Sequence, residues 1–110
     1  MNARTAKLLR SYSRSTGQPL KDAKREWLTT PRNQRGAVRD EMERNLWRRE
    51  LQEFRKRHNL QGKEAASVLQ VPYDTWRKWE SMISTPHKFA MIALRLAMRD
   101  YKPATAGTQP

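Results

Sequence analysis

The side chains in this sequence best equipped for chemistry are cations. Twenty-three Lys and Arg stand against eleven Asp and Glu, a net charge of +12. Such groups hold anions: a guanidinium as a planar fork of donors, an ammonium as a compact point charge. Catalysis has far less to work with. The two histidines, His58 and His87, have no acidic partner at metal-ligand spacing, and there is no cysteine. Disulfides, thiolate zinc sites and thiol nucleophiles are thereby excluded. Neither a Gly-rich phosphate loop nor a nucleophile motif occurs. The expectation is a binding protein, not an enzyme, with no cofactor and no metal.

The cations are unevenly placed. Residues 1–39 hold ten of them (four being Arg4, Lys7, Arg10 and Arg14) against only Asp22 and Glu26, so this stretch carries +8 of the +12. A field of that kind attracts a polyanion and releases its counterions on binding. The same four N-terminal cations break any signal-peptide pattern, and no apolar run approaches the roughly 18 residues a membrane span needs. A cytoplasmic protein that does not engage a membrane is expected. The apolar fraction, 36%, is below the roughly 45–50% of an average domain. A core this thin favours a homodimer, which buries more surface.

Five or six helices and no strand must position these groups. The first spans about 3–15, with Ala6, Leu8, Leu9 and Tyr12 as its apolar stripe and Gly17 as its stop. The second, about 19–29, gathers Leu20, Ala23 and Trp27 on one face, with Leu28 beside them. Thr30-Pro31 reads as an N-cap and first-turn proline. From Pro31 to His58 no proline intervenes, and Val38, Met42, Leu46, Trp47, Leu51 and Phe54 recur at helical steps. The pattern predicts either one long helix or two with a break near Asn45; Asn59 is the stop. Thr85-Pro86 is expected to cap a last helix over 86–101, turning Phe89, Ile92, Ala93, Leu96 and Ala97 inward. Residues 102–110 have the composition of a disordered tail. The resulting division is a basic helical extension (1–39), a helical domain (40–101) and the tail.

The segment Leu60 to Glu80 has its own grammar. Ala65, Ala66 and Leu69 make a short apolar face whose small residues admit a close neighbour. Gln70-Val71-Pro72 is a turn, and Pro72 suits a helix start. In the following helix Trp76 and Trp79, three apart, turn to the core, leaving Tyr73, Asp74, Arg77 and Lys78 outside. Two short helices about a turn of three or four residues form the supersecondary unit that DNA-binding proteins use.

This segment resembles the helix-turn-helix of the Xre/Cro family, the group related to lambda-type repressors. The family pattern Leu-Ser-Gln-x-x-x-Ala-x-x-Leu-Gly-Val-Ser-x-x-Thr-(Ile/Trp)-x-x-Trp-Glu-x-Gly overlays without a gap. Leu60, Ala66, Leu69, Val71, Thr75, Trp76, Trp79 and Glu80 all fall in place. The run Asp74-Thr-Trp-Arg-Lys-Trp-Glu80 is similar to the antitoxin and phage regulators ending in TWxxWE. The likeness covers about residues 47–99. Of the positions that depart from it, three bear on the geometry: Gln70 and Met82 stand where the family has glycine, and Gly62, after Gln61, where it has a polar residue. A left-handed backbone at Gln70 would cost about 1 kcal/mol or more.

The resemblance implies an all-α, lambda repressor-like bundle carrying an N-terminal basic helical extension. It implies a transcriptional regulator, a repressor binding a palindromic double-stranded operator as a homodimer. The reading helix is then about 73–80, with Tyr73, Asp74, Arg77 and Lys78 at base edges in the major groove. Arg77 or Lys78 would pair with guanine O6/N7, and Asp74 either accepts from cytosine N4 or serves the helix dipole. Gln61, Lys63 and Thr75 fall where the backbone is contacted, and Arg10 and Arg35 would add phosphate contacts from the extension. The extension is open to other uses: dimerisation through Leu8, Leu9, Trp27 and Val38, or RNA binding. A ribonuclease toxin using His58 or His87 is one rival. An antitoxin or phage inhibitor that docks a toxin-like protein partner through Leu28, Met42, Met82, Met91 or Met98 is another.

Overall fold

A helix 24 residues long is the member on which the rest of the chain is mounted. The computed structural model describes residues 2–102, and among them it is all-helical, without a strand. The order is α1 (Ala3–Thr16), α2 (Leu20–Thr29), a 3-10 turn (Arg32–Gln34), α3 (Arg35–His58), α4 (Gly62–Val68), α5 (Tyr73–Glu80) and α6 (Lys88–Asp100). Apart from Lys102, the expected tail lies outside the described residues. No helix described is long and apolar enough to cross a membrane.

The long helix α3 is unbroken at Asn45, whose side chain accepts from Arg49 Nε one turn on at 3.2 Å. That bond gives the asparagine amide a helical use in place of the backbone competition that ends helices. At 1.5 Å per residue α3 runs about 36 Å, long enough to carry two separate cores. Near its start, Met42 packs with Leu9 of α1 and with Ala23 and Trp27 of α2. Further on, Trp47, Leu51 and Phe54 pack with Ala65 and Ala66, Trp76 and Trp79, and Met98. The division between the cores falls between Met42 and Trp47, inside one continuous helix.

Several sequence expectations need correction. Thr30 is not the N-cap of the next helix: its hydroxyl donates to the Glu26 carbonyl at 2.7 Å, so it closes α2. A 3-10 turn separates Pro31 from α3. Leu9 and Trp27 are 2% and 6% exposed, buried within the chain's own first core, and are not a dimer face. Met42 and Met98 are likewise buried and do not serve for docking, and Leu28 stands 63% exposed instead of joining the α2 face. The last helix starts at Lys88, not Pro86, with His87 Nδ1 accepting from the Phe89 N–H at 3.2 Å.

The orientation of α6 is the largest correction. Met98 is buried with Met91 and Leu94 packed beside it, whereas Phe89 is 73% exposed and Ile92 and Leu96 are each 46% exposed. The cause is what α6 meets on α3. Arg95 makes a fork to Glu50, with Nε–Oε1 and Nη2–Oε2 both 2.8 Å, and its guanidinium lies 5.6 Å from the Trp47 ring centroid. The hydrogen bond to Glu50 raises the Arg95 pKa above its ordinary value despite partial burial. Tyr101 packs edge-on to Phe54 at 5.5 Å. These contacts fix the rotation of a helix that is apolar on two sides.

The two missing glycines are explained at a cost. Helix α4 ends on Gln70 at φ 58° and α5 on Met82 at φ 61°, both left-handed. The turns close around them with Val71 N–H to Ala66 O at 2.8 Å and Ile83 N–H to Lys78 O at 2.9 Å, the pattern that normally selects glycine. Hence Gln70→Gly and Met82→Gly should each raise stability by about 0.5–1.5 kcal/mol. Urea melts should show a higher midpoint at unchanged slope; a lower midpoint would contradict the left-handed turns.

Candidate nucleic-acid interface

The candidate interface centres on α5, and the orientation of that helix is fixed from beneath. Trp76 is fully buried and Trp79 6% exposed. Trp79 meets the Trp47 ring edge-on at 5.8 Å. At the far end, Glu80 receives two bonds from Arg55 Nη1, at 2.7 and 3.0 Å, so the last turns of α3 and α5 are clamped together. With the tryptophans inward, the eight-residue helix presents Tyr73, Asp74, Arg77 and Lys78 to solvent. Arg77 lies 4.0 Å from Asp74 Oδ1, and its guanidinium is 6.0 Å from the Tyr73 ring centroid. The three form one exposed group on the outer side of α5. Thr75 is half-buried at the edge of this face.

Helix α4 meets α5 across the turn of residues 69–72. Ala65 and Ala66 are buried, and their small side chains let the helices approach. A Cβ on Gly62 would lie 3.4 Å from Trp76 Nε1 and 3.7 Å from Glu80 Oε2, ordinary contact distances, so packing there does not demand glycine. Gln61 and Lys63 are exposed beside it. The Gln61 N–H is already taken by Glu64 Oε1 at 3.0 Å. A phosphate approaching this helix start meets a carboxylate, and Lys63 is the compensating positive charge. Glu64 escaped the sequence reading, although a glutamate three residues into a helix is the usual sign of such a cap.

Two further cations were also missed. Lys56 and Arg57 are exposed on the last turn of α3, the turn clamped to α5 through Arg55. The signal was the basic run Arg55-Lys56-Arg57 just before Leu60. The structure does not bring Arg10 and Arg35 to this group, because both belong to elements of the first core. Arg10 is exposed on α1, in line with Lys7 and Arg14. Arg35 has structural work: Nε donates to Thr30 O at 3.1 Å and Nη2 to Leu28 O at 3.4 Å, and its guanidinium stacks 5.6 Å from the Trp27 centroid. It covers the carbonyl end of α2. The histidines are similarly occupied: His58 packs edge-on to Phe54 and Tyr101, at 5.0 and 4.8 Å, and His87 caps α6.

Compared with protein-family models, curated proteins and solved structures, the chain matches none. The geometry of α4 and α5 therefore carries the functional argument.

Arg55 and Glu80 are mostly shielded, with side chains 31% and 20% exposed. Removing either should cost about 1–3 kcal/mol, since a charge-assisted pair is broken and its partner stranded. The double substitution Arg55→Ala with Glu80→Ala should cost less than the sum of the two. Strict additivity in urea melts would mean that the clamp contributes nothing.

Proposed function

We propose that this chain is a sequence-specific DNA-binding regulator, with α4 and α5 as its helix-turn-helix and α5 as the reading helix. The observation that carries the proposal is the division of α5. Two buried tryptophans and the Glu80–Arg55 clamp hold one side, while Tyr73, Asp74, Arg77 and Lys78 stand free on the other. A helix of eight residues with a braced inner face and an outer face of hydrogen-bonding groups suits insertion into a major groove. The net charge of +12 supplies the attraction to the backbone.

In this reading Arg77, beside Asp74 and Tyr73, addresses guanine O6 and N7. Lys78 is the second base-edge donor or a phosphate contact. Lys63, with Lys56 and Arg57, flanks the groove and holds phosphates, Thr75 and Gln61 lie at its margin, and Arg10 contributes from α1. As a homodimer, the protein would set two reading helices in successive major grooves about 34 Å apart on a palindromic operator. The resemblance to repressors favours repression as the outcome.

A binding titration against DNA from the gene's own promoter, with scrambled DNA as competitor at two salt concentrations, tests the proposal. A promoter preference of at least about a thousandfold supports it. Arg77→Ala should lose roughly 1–3 kcal/mol of discrimination at one base position. Arg10→Ala should weaken binding to every sequence alike and lower the salt slope by about 1. Equal, steeply salt-dependent binding to both DNAs would refute sequence-specific recognition and leave a general nucleic-acid coat. An unchanged preference in Arg77→Ala would put the reading helix elsewhere.

A further inference from the structure

Leu46 lies on α3 between Met42 of the first core and Trp47 of the second, half-buried, and packs in neither cluster among the described residues. A cleft of about 550 Å³ opens over it, walled by α1 on one side and by α6 on the other. The floor is apolar. Leu46 is joined there by Leu8 from the edge of the first core and by Met91 from the edge of the second. The cations of the cleft are of two kinds. Arg4 is paired with Glu43 and Arg95 with Glu50, so both are neutralised where they stand. Lys7 on α1 and Lys88 on α6 are exposed and form no ion pair among the described residues. Two unanswered ammonium groups thus border one apolar floor from opposite walls, and the hydroxyls of Ser11 and Thr85 belong to the same lining.

We infer that this cleft is a binding site for a small organic anion, one carboxylate or phosphate head on a compact apolar body. The head lies between Lys7 and Lys88 and relieves the repulsion of two like charges. The body covers Leu8, Leu46 and Met91 and takes their remaining surface out of water. A mostly apolar hollow of several hundred Å³ with a few convergent polar groups is what small ligands occupy. The charge balance keeps the ligand small. Glu43 lines the cleft and Glu50 adjoins it, so a longer acidic segment would meet carboxylates. A DNA duplex is too broad to reach the floor, which offers a sugar-phosphate chain nothing.

The site also stands apart from the proposed reading helix. Leu46 and Arg55 are separated by about two and a half turns of α3, so they point to opposite sides. Arg55 is the residue that holds α5 through Glu80. The cleft therefore opens away from α5, and ligand and DNA can be bound together. Its test contains no DNA, so it stands or fails separately from DNA recognition.

Octanoate serves as the probe, and acetate as its head alone. Octanoate titrated into the full chain and followed by methyl NMR should saturate in roughly the millimolar range. Signals of Leu8, Leu46 and Met91 should move, while those of Leu28 and Leu96, exposed on other faces, should not. Acetate should bind at least about tenfold more weakly, because each buried methylene is worth roughly fourfold. Lys7→Gln with Lys88→Gln should weaken octanoate by about fivefold, and the matched pair Lys21→Gln with Lys24→Gln on α2 should not. Equal loss in both double variants would make the attraction general and overturn the site. Absence of saturation, acetate binding as well as octanoate, or shifts led by Leu28 or Leu96 would overturn it too. An anionic lipid carries the same head chemistry, so phosphatidylglycerol vesicles form the last arm. Flotation with them should fall no further in the Lys7 and Lys88 variant than in the Lys21 and Lys24 variant. A selective loss there would assign these cations to a membrane surface and overturn the inference.

Discussion

Trp47, Leu51 and Phe54 form one face of α3, and the α4–α5–α6 end of the molecule is hung from it. Trp47 alone touches two elements, the Trp79 ring edge-on and the Arg95 guanidinium above it. Burial of three large side chains is worth several kcal/mol, and it fixes more than stability. It decides which way α5 faces, since Trp79 has no other ring of that core to meet except Trp76 and Trp47. It also sets the side of α6 that is spent on the core. The outer group on α5 is thus a consequence of packing beneath it, and the cations there cost the fold little.

Polar contacts at the edges of this core act as orienters. Glu80 is held by Arg55, and Arg95 by Glu50. Each joins a short helix to α3 or to its neighbour in one rotation. The cost is visible where the turns are tight, at Gln70 and Met82. There the chain accepts a left-handed backbone without glycine because the flanking helices are both anchored.

Much of this was legible in the sequence, for a specific reason. Two tryptophans three apart in a short segment of otherwise polar residues leave only one rotation of α5 that buries both, so its outer residues followed at once. The same reasoning made residues 35–58 helical but left a break near Asn45 open, and it offered Leu9 and Trp27 as a dimer face although they pack with Ala23 in the chain's own first core. It failed on α6 because Phe89, Ile92 and Leu96 and the opposite set Met91, Leu94 and Met98 satisfy helical spacing equally well. Periodicity cannot choose between two apolar sides; the Arg95–Glu50 fork and the Tyr101–Phe54 contact chose. Arg35 was misjudged for a related reason: a guanidinium reads as free charge in a sequence, while here it caps carbonyls left open at the end of α2.

The unbroken α3 also gives the molecule a fixed rotational phase. The basic face of α1 is attached through Met42 and the α5 group through Trp47 and its neighbours, with rigid helix between. Each residue of that helix turns the chain by about 100° and advances it about 1.5 Å. A single residue inserted between Met42 and Trp47 would leave both cores intact, yet swing one charged surface a quarter-turn around the other. A ligand long enough to span both surfaces would have to match that angle, so the count of residues between them would matter to it as much as the side chains on either surface.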